Sequence, residues 1–158
     1  MSFNHPKAGP NLVGAYQMSG IPFVTSSVAF EVPNAEGNSV SLPVRVEFPF
    51  VTKWIKIRNT GLNDLRVGFS ENGVLKPGEQ LASDNNAKHE DLPSNYFLIP
   101  TGSCANQDIA GSIQTFDIRC KELYFLSNAT KNNTPADARN TSFSLIAGLT
   151  PILASEFP

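Results

Sequence analysis

The sequence predicts an all-β domain of antiparallel strands, arranged as a sandwich or jelly roll. Apolar and polar residues alternate with period two in one segment after another. No segment sustains the 3.6-residue period of a helix. Gly and Pro, at 11 and 12 copies, recur between the alternating runs and punctuate them. About eight short strands in a chain of 158 residues suit a sandwich better than a propeller or solenoid, and no internal repeat is visible.

Residues 1–21 read as an extended N-terminal arm, rich in Gly and Pro and without periodicity. Leu12, Val13, Tyr16, Met18 and Ile21 give the arm apolar side chains to pack on something. Residues 22–152 form the single domain, and 153–158 a short tail. In the first strand, 23–32, Val24, Ser26, Val28, Phe30 and Val32 share one face. Residues 40–50 alternate most cleanly, with Val40, Leu42, Val44, Val46, Phe48 and Phe50 on one face and Pro43, Arg45, Glu47 and Pro49 on the other. Two prolines that cannot donate to a ladder place this strand at a sheet edge or at a bend. In 54–58, Ile55 and Ile57 oppose Trp54, Lys56 and Arg58. Leu65, Val67 and Phe69 then alternate with Arg66, Gly68 and Ser70. Residues 95–100 show little alternation, which predicts a strand covered on both faces. Strands at 112–119, 122–127 and 141–149 complete the set, and 75–95 and 128–140 are polar surface loops.

Composition narrows the function. The net charge is −2 and there is no basic run, which argues against binding nucleic acid by phosphate neutralisation. Charged residues are 16%, against about 25% in typical soluble domains. A folded chain with so few charges directs much of its surface at other protein, although plentiful Ser, Thr and Asn also solubilise it. The N-terminus lacks the pattern of a signal peptide, and the uncharged stretch 8–30 is too interrupted to span a membrane. Cys104 and Cys120 allow one bridge; the simpler reading is two reduced, mostly buried thiols. Sequons at Asn128, Asn132 and Asn140 read as an Asn/Thr-rich loop rather than as glycan sites.

No catalytic, cofactor or metal site is expected. His5 and His89 both fall in arm or loop, so the strand histidines of a metal-binding jelly roll are missing. Ser103, Cys104 and Cys120 stand in no nucleophile turn and near no histidine in sequence. Asp84, Glu90 and Asp91 read as a solvated loop without calcium-loop spacing. Trp54 has two readings, a packing aromatic at the edge of the core or an interface anchor. Its companions Lys56 and Arg58 turn that face towards solvent or a partner. Trp54, Lys56, Arg58 and, in the arm, Tyr16 are therefore the candidate subunit-contact residues.

Several segments resemble, in order and spacing, the penton proteins of nucleocytoplasmic large double-stranded DNA viruses. They are FVTKWIKIRNTG (50–61), LRVGFSENG (65–73), NYFLI (95–99), KELYFLS (121–127) and SFSLIAGLT (142–150). The resemblance spans roughly Gly14 to Ile152, and none of its segments is a chemical motif. It implies a single eight-stranded jelly roll with an extended N-terminal arm. It further implies a structural virion protein, with no enzymatic activity and no cofactor. Five copies would ring each capsid vertex among trimers of the major capsid protein and minor capsid proteins. Assembly would take place in the cytoplasm of the infected cell. The arm would then reach under neighbouring subunits. Some relatives carry a domain inserted in a surface loop, for which this chain has no room. The alternative reading is a lectin-like or receptor-binding jelly-roll module, with ligand contacts in loops 75–95 and 128–140.

Overall fold

A computed structural model describes residues 21–28, 40–41, 43–61, 63–76, 80–81, 95–101, 112–128 and 141–156. These residues form two four-stranded antiparallel sheets. The strands are β1 (Ile21–Val28), β2 (Val40–Ser41), β3 (Val44–Glu47), β4 (Phe50–Asn59) and β5 (Leu65–Gly68), then β6 (Gln80–Leu81), β7 (Tyr96–Ile99), β8 (Ile113–Phe116), β9 (Glu122–Ser127) and β10 (Ser142–Leu153). The first sheet has the order β1-β10-β4-β8 and the second β3-β9-β5-β7. Two short 3-10 turns, Asn72–Val74 and Ala154–Glu156, are the helical segments among the described residues.

The core lies between the sheets, as in a β-sandwich. Ile55, Ile57, Phe143, Leu145, Ala147 and Leu149 of the first sheet pack with Leu65, Val67, Ile99, Leu123 and Phe125 of the second. Phe125 and Phe143 stack across the gap with ring centroids 4.1 Å apart. At one flank Phe23 meets Phe48 edge-on at 5.1 Å. At the other, Phe97 and Phe116 meet at 5.4 Å. Every buried side-chain nitrogen and oxygen among the described residues has a hydrogen-bond partner, as the cost of an unpaired polar group demands.

Three expectations need correction. First, residues 40–50 are not one strand. The chain leaves β2 before Pro43, forms β3, and breaks again at Pro49 before β4 begins at Phe50. Over residues 45–48 the expected faces hold, for Val46 and Phe48 are buried while Arg45 and Glu47 are exposed. The prolines set the breaks because each lacks an N–H for a ladder. β3 is an edge strand, and the chain crosses at Phe48 and Pro49 from the second sheet to the first.

Secondly, β7 is not covered on both faces. It is the other edge of the second sheet, and Phe97 and Leu98 are 56% and 46% exposed. Thirdly, the described strands number ten, not eight. The additions are β2 and β6, which pair with each other in parallel over two residues.

β10 outruns its expected end, and Ala154 N–H then donates to Pro49 O at 3.2 Å. Tyr16, His5, His89, Asp84, Glu90, Asp91, Ser103, Cys104 and the sequon asparagines Asn132 and Asn140 lie outside the described residues, as do most of loops 75–95 and 128–140.

Candidate subunit-contact surface

β4 is an inner strand of the first sheet, flanked by β10 and β8. Its alternation sends Ile55 and Ile57 into the core and leaves Lys56 and Arg58 exposed on the outer face, with Trp54 half-buried beside them. The structure thus brings three of the four sequence-derived contact residues onto one face.

The ladder register gives these residues neighbours that no local pattern reveals. Gly148 stands opposite Trp54, Ile146 opposite Lys56 and Ser144 opposite Arg58 on β10. On β8, Thr115 stands opposite Lys56 and Ile113 opposite Arg58. One strand further out, Val24 of β1 pairs with Ile146. Gly148 has no side chain to compete with the indole for the space above the sheet. Val24, Ile113 and Ile146 are all exposed, so apolar groups and two cations share the surface. Local sequence pattern does not mark these three as contact residues. Their signal was present in the alternation of Ser144 and Ile146 against the core-facing Phe143 and Leu145, but pairing between distant strands was not.

A β-bulge sets the direction of Trp54. Trp54 pairs with Gly148 and Thr52 with the next residue, Leu149, so Lys53 is an extra residue on β4. Both Val51 and Thr52 are then buried. Thr52 anchors the bulge, since its hydroxyl donates to Ile118 O at 2.9 Å and accepts from Cys120 N–H at 3.0 Å. The Cys120 thiol is free and buried, 3.5 Å from the same hydroxyl. Burial pushes the thiol up, against the downward pull of the Thr52 hydrogen bond. A thiolate nucleophile needs the opposite shift.

The far end of β4 is tied down by Asn59. Its amide donates to Asn63 O at 2.9 Å and Ile99 O at 3.2 Å, and its Oδ1 accepts from Gly61 N–H at 3.0 Å. Thr101 N–H donates to Asp64 Oδ1 at 2.9 Å in the same turn. These bonds satisfy a buried sheet-to-sheet crossing and hold the β4 surface rigid at both ends.

The outer face of the second sheet is built differently. The segment carrying Val74 and Leu75 packs over Leu126, Tyr96 and Tyr124. Beneath it lies Arg66, 1% exposed. Its Nε donates to Asn128 Oδ1 at 3.0 Å and its Nη1 to Val74 O at 3.1 Å, and its guanidinium lies 5.4 Å from the Tyr96 ring centre. At the β3–β9 edge this cover gives way to a charged strip. There Arg45 bridges Glu47 at 2.6 Å and Glu122 at 2.5 Å. The Glu122 hydrogen bond raises the Arg45 pKa further.

Among the described residues no group of three or more His, Cys, Asp or Glu side chains could hold a metal ion. No helix among them is long and apolar enough to cross a membrane. Comparison with known protein families, with curated proteins and with solved structures finds no match to this chain.

Proposed function

We propose that the chain is a structural virion protein whose copies form pentameric vertex capsomers of an icosahedral capsid. The observation that carries the proposal is the nested order of the strand pairs. Setting aside the two-residue β2 and β6, the first described strand pairs with the last, β1 with β10. The second pairs with the next to last, β3 with β9. β4 pairs with β8, and β5 with β7. One long hairpin rolled up on itself has this order, and that supports a jelly-roll reading of the sandwich. Single jelly rolls are what the resemblance to penton proteins calls for. An outer sheet face mixing Trp54, Ile146 and Val24 with Lys56 and Arg58 supports a protein partner, because such faces anchor interfaces.

On this reading the chain has no catalytic residues and no cofactor. Its partners are four further copies of itself, trimers of the major capsid protein and the minor capsid proteins at the vertex. Its place is the capsid vertex of the virion, after assembly in the cytoplasm of the infected cell. The test is the native mass of the purified chain, alone and mixed with trimers of the major capsid protein. A mass five times that of the chain, or incorporation at trimer junctions, is expected. A chain that stays monomeric and does not join the trimers overturns the proposal.

A further inference from the structure

We infer that the outer face of the first sheet docks on the β3–β9 strip of the second sheet of another copy, head to tail. The inference rests on the ring reading and names the two surfaces that make the ring.

Charge is the first argument. The described outward ladder positions of the first sheet carry Lys56 and Arg58 and no carboxylate; Asp117 follows β8 beyond the ladder. The β3–β9 strip carries Glu47 and Glu122 around Arg45, and Lys121 lines the same hollow. Tyr124, on the same strip, is raised by burial first and then by Glu122, with Glu71 and Glu47 adding and Arg45 opposing. A residue within the strip thus senses three carboxylates against one guanidinium. The cations of the first face, which has no carboxylate of its own at those described positions, would find carboxylate partners on the strip, and two copies of the first face would repel each other.

The second argument is apolar surface. Val24 is 70% exposed and stands directly opposite Ile146, and Ile113, 47% exposed, adds apolar surface on β8 at the far side of β4. On the strip the half-buried Tyr124 offers an aromatic counterpart beside the charges.

The third argument is direction. Two faces on opposite sides of a sandwich would stack copies in a line if they met centre to centre. The 72–75 segment covers the second sheet over β5 and part of β9, so the free strip lies off-centre at the β3 edge. Contacts made off-centre turn each copy relative to the last. A heterologous contact makes a ring when its rotation closes and an open filament when it does not, and only a contact that turns can close.

Charge reversal tests the inference. K56E/R58E reverses one face, and R45E/E47K/E122K reverses the other while keeping an ion-paired triad. Each variant alone should weaken self-association at least tenfold by sedimentation, with the far-UV spectrum unchanged. The variant carrying all five substitutions should regain the wild-type mass. An equal mixture of the two single-face variants should associate in alternation, which an odd-membered ring cannot close, so open chains or pairs are expected. If the wild type forms rings and K56E/R58E forms them equally well, the docking inference falls and the ring reading stands. If the five-fold variant stays dissociated, the strip is not the mate. A wild type that neither associates with itself nor joins trimers of the major capsid protein removes both. Should the triad reversal fail to fold, the variant R58C/E47C must link chains to one another on oxidation; unlinked chains overturn the inference.

Discussion

Arg58 and Arg66 both sit at outward positions in strands of this sandwich, one on each sheet. Arg58 is exposed, and Arg66 is buried under Val74 with its guanidinium bonded to Asn128 and Val74. The strand setting of each is similar, an arginine between two buried residues, Ile57 and Asn59 for one and Leu65 and Val67 for the other. What differs is the cover. The chain after β5 folds back over its own sheet, while the outer face of the first sheet has exposed Val24, Ile113 and Ile146 beside its cations. One arginine is therefore part of the fold, and the other is available to a partner.

That contrast can be broken most forcefully at Arg66. Arg66→Ala leaves a buried carbonyl and the Asn128 amide oxygen without their donor, and should cost about 3 kcal/mol in a denaturant titration. Gly68→Ala attacks the cover itself. A Cβ there would meet Val74 Cγ1 at 2.7 Å and Asn95 O at 3.3 Å, pushing the 72–75 segment off the sheet. A loss of about 2 kcal/mol is expected by thermal melting.

Trp54→Ala sharpens the other side. Folding should survive at a cost of about 1 kcal/mol, and the native mass should drop to that of the single chain. A variant that fails to fold would assign Trp54 to the core instead.

Stability against pH reports on the bulge that aims Trp54. The Cys120 thiol is raised above its ordinary value of 9.0 by burial. The unfolded thiol ionises first, so the stability it contributes is complete below pH 9.0 and is lost as pH rises through the folded value. Tyr124, raised above 10.0, adds a loss of the same sign at higher pH. Cys120→Ala should flatten the first part of this decline while leaving the second.

Smallest of all, Arg58→Ala should change stability by no more than about 0.5 kcal/mol, with its effect confined to association.

Much of this was legible in the sequence. Period two assigned Ile55 and Ile57 inward and Lys56 and Arg58 outward, and the two prolines marked an edge and a bend. Burial of Arg66 was not legible. Its cover comes from residues 72–75, where Asn72 and Gly73 look like nothing more than a turn. The bulge at Lys53 was hidden for a related reason. It exists only in the register between β4 and β10, which are far apart in the chain. Little alternation in 95–100 predicted a strand covered on both faces, but an edge strand with exposed Phe97 and Leu98 has the same pattern. In each case the missing information was which segment lies next to which.

The nested pairing has a consequence in time. β10 follows every other described strand, and it lies between β1 and β4. Ile21 finds its ladder partner only at Leu149. Contacts of such long sequence separation close slowly, because the loop entropy is lost before the contacts can repay it. Until β10 arrives, β1 has no neighbour in the first sheet, and the inner face of β4 stays open along one side. β1 therefore cannot join the first sheet until β10 has been made, and the face that carries Trp54 is completed only then.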